Sequence, residues 1–295
     1  MASMRDIKRR RTSIQSTQQI TKAMKLVSTV KLQKARAHAE SSKAYFDCMY
    51  TTIRSMLSKA GEINHPYLKP NASEKIGIIV VTSNRGLAGG YNSNVVKLIT
   101  SGGFNPENVR IYAVGSKGAE SLAHKGYGEV VADYSEIIEN PTYADARAIG
   151  TQVLNDFTSG DIGEIYLAYT FFKNTVSHIP KLMKLLPLSA EDVRMSTEDA
   201  AGETEKQDAL TLMEFEPNEE EAINLLIPKY MTSILYGAFV EAVASENGAR
   251  MQAMDSATDN AEEMIDDLGL KYNRARQGAI TQELTEIIAG AEALA

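Results

Sequence analysis

The sequence is poor in the residues that interrupt helices or form reactive sites. Its 295 residues include a single cysteine, Cys48, which excludes an internal disulfide and any CxxC metal or redox pair. No proline occurs between Met1 and His65, and none follows Pro228. Because proline is the strongest helix breaker, each end of the chain can form a helix of about 65 residues, or roughly 100 Å. These absences predict a central domain flanked by two long terminal helices.

The sequence also lacks the motifs of common catalytic and nucleotide-binding sites. It contains no GK[ST], G-x-G-x-x-G, GxSxG or HExxH motif, and its four histidines show no metal-ligand spacing. No uninterrupted apolar run approaches the roughly 18 residues of a membrane span, and the N-terminus lacks the uncharged core of a secretory signal. We therefore expect no catalytic residue, no cofactor, no metal and no direct membrane span.

Charge is sorted by segment along the chain. Residues 1–64 carry 13 basic and 4 acidic residues, a net charge of +9, whereas residues 222–295 carry 5 basic and 11 acidic residues, a net charge of −6. Residues 65–189 are neutral overall, and residues 190–221 carry a net charge of −10. The opposite charges of the two ends predict that the ends pair with each other. Exposed ion pairs contribute only about 0–1 kcal/mol each, so we expect charge to set the orientation more than the stability.

The C-terminal segment has the apolar spacing of a coiled coil. One series of residues alternates steps of three and four: Met251, Met254, Thr258, Ala261, Ile265, Leu268, Tyr272, Ala275 and Ala279. The apolar phase then shifts by one residue, to Ile280, Leu284, Ile287, Ala291 and Leu294. We therefore expect the last turns to leave the partner helix and to contact something else.

The N-terminal segment is less regular. Its predicted apolar face consists of Ile7, Ile14, Ile20, Met24 and Val27. Small residues such as Ser28 and Ala35 follow, and they permit a close approach of another helix.

The centre of the chain alternates between strand and helix patterns. Strands are predicted at 75–82, 109–114 and 164–172, helices at 92–100, 116–124 and 143–158, and an antiparallel edge strand at 179–186. The predicted organisation is an N-terminal coiled-coil helix (1–64), a linker (65–74), an α/β domain (75–188), an acidic mobile loop (189–217) and a C-terminal coiled-coil helix (218–295). The fold class is thus α/β with long helices.

Two other functions remain open from the residues alone. The glycine cluster containing Arg85, Gly86, Gly89 and Gly90 follows a strand and precedes a helix, as a phosphate cradle would, which allows a nucleotide-binding α/β protein. Without a nucleotide motif, we interpret the cluster as a tight structural turn. The basic cluster at 8–11 allows a nucleic-acid binder, although the whole chain is acidic with a pI near 5.3. We expect no nucleic acid, because an acidic partner of similar length lies in the same chain.

Three stretches resemble the gamma subunit of F-type ATP synthase. They are ITKAMKLVS at 20–28, SNRGLAGGYN at 83–92 and MDSATDNAEEMIDDLGLKYNRARQGAITQEL at 254–284. The resemblance implies an antiparallel coiled coil of the terminal helices, with a Rossmann-like α/β domain packed beside it. It also implies the function of a noncatalytic central rotor stalk, which couples ion-driven rotation to ATP synthesis or hydrolysis on other subunits.

The resemblance further implies partners and contact residues. The partners are the alpha and beta subunits of the catalytic head, the epsilon subunit and the ring of membrane c subunits, at the cytoplasmic face of a bacterial membrane. The residues that match the family's contacts with the surrounding head are Ile20, Lys22, Met24, Lys25, Arg276, Gln277, Thr281, Glu283 and Ile287. In the family, the glycine-rich turn looks structural.

Overall fold

The structure, a computed structural model, describes residues 3–59, 65–69, 71–127, 129–188 and 219–292. These residues form two compact units. One unit joins the residues up to Thr29 with those from Arg250 onward, and the other is Val30–Ala249. The acidic loop predicted at 189–217 lies outside the described residues.

Both ends of the chain are helical, as the absence of proline predicts. Helix α1 is Met4–Lys59, and helix α5, the last of the chain, is Glu219–Glu292. Pro228 lies inside α5, near its beginning. Each long helix contributes to both compact units.

A five-stranded sheet forms the centre of the unit Val30–Ala249. Its strands are β1 (Ile76–Val81), β2 (Val109–Val114), β3 (Glu129–Asp133), β4 (Glu164–Phe172) and β5 (His178–Leu186), arranged in the order β3-β2-β1-β4-β5. The first four strands are parallel, and β5 pairs with β4 in the antiparallel direction. The predicted antiparallel edge strand is therefore confirmed. Strand β3 was not predicted, because it is a short edge strand whose Val130 and Val131 are 38% and 37% exposed.

Helices cover both faces of the sheet, so the domain has three layers. Helices α2 (Tyr91–Ser101) and α3 (Ser116–Ala123) contribute Val95, Ile99 and Leu122 to the core on one face. Helix α4 (Tyr143–Thr158) and the first part of α5 contribute to the core on the other face. Strand β1, IGIIVV, is almost wholly buried because it is covered on both sides. The predicted fold class, α/β with long terminal helices, is confirmed.

The apolar composition of α5 is explained by its packing on the sheet. Among the described residues, α5 is the one helix that is long enough and apolar enough to cross a membrane. Its most apolar window has a mean hydropathy of 1.2. However, 56% of that window is buried inside the protein. Side chains such as Ile227, Met231, Leu235 and Phe239 are fully buried in the core of the α/β domain. Contact with the sheet therefore accounts for the hydropathy of this segment.

Candidate functional site

The unit formed by residues 3–29 and 250–292 is a pair of antiparallel helices. Thr21 and Thr258 join their hydroxyl oxygens across the pair at 2.8 Å, and Lys25 Nζ donates to Asp255 Oδ1 at 2.5 Å. An increase in residue number on α1 therefore matches a decrease on α5. This register defines an antiparallel coiled coil.

The series predicted on the C-terminal helix is its buried seam. Met254, Ala261 and Leu268 are buried, at 5%, 5% and 8% exposure. The intervening members of the series, Thr258 and Ile265, are half-buried, as are Tyr272, Ala275 and Ala279 further along. The three-and-four spacing is thus confirmed as the side of α5 that contacts α1.

The apolar face predicted on the N-terminal helix was partly wrong. Ile20 and Val27 are 60% and 57% exposed, whereas Thr21 and Ser28 are 8% and 2% exposed. Ile7, Ile14, Thr21 and Ser28 are spaced by seven residues, so they share one side of α1, and Ile20 and Val27 lie about 100° away from it. The small polar side chains occupy the seam because α1 and α5 approach closely there. Their hydroxyls can be satisfied locally, and Thr21 donates to the Gln18 carbonyl at 3.0 Å.

The four contact residues predicted on α1 differ in their surroundings. Ile20 and Lys22 are exposed, and Met24 is half-buried. The Lys25 side chain is 37% exposed and pairs with Asp255, whose side chain is 48% exposed. Lys22 has no ion-pair partner among the described residues. Lys22 is therefore presented outward, whereas Lys25 also links the two helices.

The five contact residues predicted on α5 are all exposed. They are Arg276, Gln277, Thr281, Glu283 and Ile287. The Thr281 hydroxyl donates to the Gln277 carbonyl at 2.9 Å, a bond within the helix that leaves the threonine methyl outward.

The end of α5 extends past the start of α1. The register set by Lys25 and Asp255 places Met4 opposite residues near Arg276. Residues 280–291 are all exposed, with Leu284 at 54% and Ile287 at 68%. This segment, which we call the α5 tip, corresponds to about 12 residues and about 18 Å of helix. A helix so short is marginal alone in water, and an exposed apolar stripe on it indicates a contact surface.

The glycine-rich turn lies where β1 ends and α2 begins. Leu87 and Gly89 have positive φ angles of 63° and 56°. The Asn92 side chain accepts a hydrogen bond from the Ser83 backbone N–H at 2.9 Å, which closes the turn. Arg85 is exposed and pairs with Glu139 at 3.1 Å. The turn is thus held by its own side chains.

In many doubly wound sheets a nucleotide binds in a crevice at one edge of the sheet, and here α5 packs next to that position. In such sheets the ligand binds at the carboxyl ends of the strands, where the strand order reverses, which in this sheet is between β1 and β4. Tyr91, the first residue of α2, is buried, and its hydroxyl donates to the Ala242 carbonyl of α5 at 3.2 Å. Helix α5 therefore lies against the helix N-terminus that would hold a phosphate.

Two of the four histidines, His65 and His178, take part in packing, whereas His38 and His124 are exposed. His65 accepts from the Tyr67 backbone N–H at 3.2 Å and contacts the Asn224 side chain at 3.0 Å. His178 packs against Gly248 of α5. In the part of the chain that the structure describes, no group of three or more His, Cys, Asp or Glu residues is placed to hold a metal ion.

The paired terminal helices and the doubly wound domain define a coiled-coil protein with an attached α/β domain, and comparisons with known proteins give its family. Residues 3–294 match the family described as ATP synthase. The ATP synthase gamma chain of Lachnoclostridium phytofermentans is 62% identical over 294 residues, covering 100% of both chains. The chain belongs to the family of ATP synthase gamma chains.

A second relative and two solved structures agree with this family. The sodium ion specific ATP synthase gamma chain of Acetobacterium woodii is 42% identical, covering 99% of each chain. A chain of the Euglena gracilis mitochondrial ATP synthase has a TM-score of 0.69 at 18% identity, covering 99% of this chain and 94% of its own. A chain from the central stalk and c-ring structure of the Tetrahymena thermophila mitochondrial enzyme has a TM-score of 0.57 at 24% identity, covering 81% of this chain and 99% of its own. At these identities the structures show a shared fold.

Proposed function

We propose that this chain is the noncatalytic central rotor stalk of an F-type ATP synthase. The observation that carries the proposal is the antiparallel coiled coil that ends in the exposed apolar α5 tip, in a chain 62% identical to a gamma chain over its full length. An isolated protein has no use for a solvent-exposed apolar helix end, whereas a stalk inserted into a ring of subunits can bury it. The alpha and beta subunits would form that ring, and the epsilon subunit and the c ring would bind the other end of the stalk.

The mechanism follows from the asymmetry of two helices inside a ring with threefold pseudosymmetry. A coiled coil cannot present the same surface to three catalytic subunits, so it stabilises a different conformation in each of them. Rotation exchanges the three conformations. Because coupling free energy is reciprocal, the same contacts serve rotation driven by ion flow and rotation driven by ATP hydrolysis.

The contacts with the head are assigned to two surfaces. On α1 the outward pair is Ile20 and Lys22, which lie about 200° apart and so flank the seam on opposite sides. Lys22 suits a partner segment bearing carboxylates, and Ile20 suits an apolar partner surface. Met24 and Lys25 lie closer to the seam, and Lys25 holds Asp255 while remaining 37% exposed. Lys25 thus fixes the register of the coiled coil that carries the outward pair.

The second surface lies on α5. Arg276 and Gln277, near the end of the paired region, together with Thr281 and Glu283 would provide polar contacts with the head. Ile287, on the α5 tip, would provide an apolar one. The exposure of all five residues supports this assignment.

The complex that contains this chain is membrane-associated, and we place the chain at the cytoplasmic face of a bacterial membrane. The coupling ion is determined by other subunits. A relative named as sodium ion specific is 42% identical, so similarity at this level is compatible with either ion.

Co-expression with alpha and beta subunits tests the proposal. A stoichiometric complex that hydrolyses ATP is expected only when this chain is present. Formation of a fully active head without this chain, or failure of the chain to join the head, would contradict the assignment.

The nucleotide-binding alternative has a separate test. Titration calorimetry of the full chain with ATP and with NAD should show no binding at micromolar ligand concentrations. Micromolar affinity would favour a nucleotide-dependent protein instead.

A further inference from the structure

One stripe of α5 packs against the hairpin formed by β4 and β5. Glu241, Ser245 and Gly248 are spaced by four and three residues, so they share one face of the helix. The Ser245 hydroxyl donates to the Thr170 carbonyl of β4 at 3.1 Å. A Cβ atom at Gly248 would lie 2.4 Å from Nε2 of His178 on β5. We call these three residues of α5 the hairpin stripe.

The contact between the hairpin stripe and the hairpin buries polar atoms that lack partners. Glu241 Oε2, Thr170 Oγ1 and His178 Nε2 are buried, and none has a hydrogen-bond partner among the residues that the structure describes. Burial without a hydrogen bond is costly for any polar group, and it is most costly for a charged carboxylate. The surroundings of Glu241 therefore favour its neutral form.

The charged groups around Glu241 oppose this preference only in part. Lys181 of β5, which lies opposite Tyr169 of β4, favours the ionised carboxylate, and its ammonium is 4.2 Å from the centre of the Phe171 ring. Burial is the larger effect and raises the pKa of Glu241 to about 7. Burial also lowers the pKa of His178, so this imidazole is neutral at and above neutral pH.

We propose that the hairpin stripe is a pH-sensitive latch, in which protonated Glu241 holds α5 against the β4–β5 hairpin and ionised Glu241 weakens that contact. The latch responds to pH in the neutral range, and it lies in the unit that joins the long helix to the sheet. It gives this chain a response to proton concentration that needs no other subunit.

The sign and the size of the response follow from linkage. The folded state keeps the proton on Glu241 up to about pH 7, whereas a solvated glutamate loses it near 4.5. Folded-state stability in this region therefore declines as the pH rises from about 4.5 and reaches its lower plateau above about 7. Between about pH 6.5 and about pH 8.5, the equilibrium constant for opening the latch should rise about fourfold.

Hydrogen exchange of the full chain tests the latch. The measurement compares the backbone amides of α5 residues 241–249 and of β5 at about pH 6.5 and about pH 8.5, after correction for the intrinsic exchange rates. An exposed His178 protonates near 6.5, which reduces the rise by up to about twofold, so the fourfold rise is measured in a His178→Gln background. Adding Glu241→Gln should abolish the rise with pH, and adding Glu262→Gln, an exposed position on the same helix, should retain it.

Each outcome decides the proposal. A rise of about fourfold in His178→Gln, and of about two- to fourfold in the wild-type protein, that is absent once Glu241→Gln is added supports it, and a steeper rise in Lys181→Met adds support, because that variant lacks the compensating cation. A pH-independent wild-type protein, or a Glu241→Gln variant with an unchanged response, overturns it. If Glu241→Gln does not fold, carbon NMR titration of the wild-type Glu241 carboxyl decides: a midpoint near neutral pH supports the latch, and one near 4.5 overturns it.

Discussion

Replacing Leu284 and Ile287 of the α5 tip with aspartate should weaken assembly with the catalytic head while leaving the fold of this chain unchanged. Both side chains are exposed in the chain alone, at 54% and 68%, so the substitutions remove no internal contact. In the proposed complex, the same side chains are buried against the surrounding subunits. Their effect should therefore appear in binding and not in the stability of the isolated chain.

The magnitude follows from the apolar surface that the tip can still bury. Full burial of a leucine or isoleucine contributes about 1.5–3 kcal/mol, and with half to two-thirds of each side chain exposed, about 1–2 kcal/mol per residue remains available. The double substitution should therefore cost about 2–4 kcal/mol of assembly free energy, or roughly 30- to 1,000-fold in affinity. Burying an aspartate without a partner would add to this cost.

The assay is a titration of alpha and beta subunits with this chain, read out as stoichiometric complex and as ATP hydrolysis. The matched control is Val176→Asp with Leu225→Asp, two apolar side chains of similar exposure at 75% and 60% that lie outside the tip. Circular dichroism should show the same helix content and melting temperature for the tip variant and the wild-type chain. Equal losses of assembly in the two double variants would refute the reasoning that the tip is a buried contact surface.

Three further predictions concern the fold. Gly248→Ala places a Cβ atom 2.4 Å from His178 Nε2 and should destabilise the chain in denaturant unfolding by about 1–3 kcal/mol, whereas Gly278→Ala on the same helix, with no atom within 4 Å, should be neutral or stabilising. Thr21→Val should lower the free energy of unfolding by about 0.5–1.5 kcal/mol, because it removes the hydroxyl contact with Thr258. In a double-mutant cycle, Thr258→Val should have a smaller effect in the Thr21→Val chain than in the wild-type chain. Strict additivity would mean that the 2.8 Å contact contributes nothing to stability. Because burial lowers the pKa of His178 from 6.5, the unfolded chain takes up a proton first, and this part of the stability should be lost as the pH falls below about 6.5. Protonation of Glu241 acts in the opposite direction over this range, so the comparison is between variants. From about pH 7.5 to about pH 5.5 the unfolding free energy of His178→Gln should increase more than that of the wild-type chain, and equal changes would exclude His178 as the cause.

Much of the fold could be predicted because it depends on local patterns. Strand β2 and helix α4 were predicted with their observed bounds, 109–114 and 143–158, since an apolar β-branched run and a periodic helix between turn residues are local signals. The coiled-coil seam of α5 was also predictable, because its spacing of three and four is maintained from Met251 to Ala279. Strand β3 was not, because it is a short edge strand with exposed valines and its apolar run is short.

The side of α1 that faces α5 could not be predicted from hydrophobicity. The large apolar residues Ile20 and Val27 suggested one side, but the close approach of α5 selects the small residues Thr21 and Ser28. The distance between two packed helices depends on the side chains of both, so it cannot be predicted from the sequence of one helix alone. The resemblance to gamma subunits was the signal that marked Ile20 as a contact residue, and its exposure agrees with that role.

The sequence by itself determined the long terminal helices, their opposite charge and the α/β pattern between them, because these depend on the order of neighbouring residues. Only the tertiary structure decided which side of α1 is buried, that Lys25 pairs with Asp255, and that one carboxylate oxygen of Glu241 is buried. The physical reason is that burial and pairing are set by segments distant in sequence. Local composition cannot specify which of two polar side chains will be buried by a distant segment.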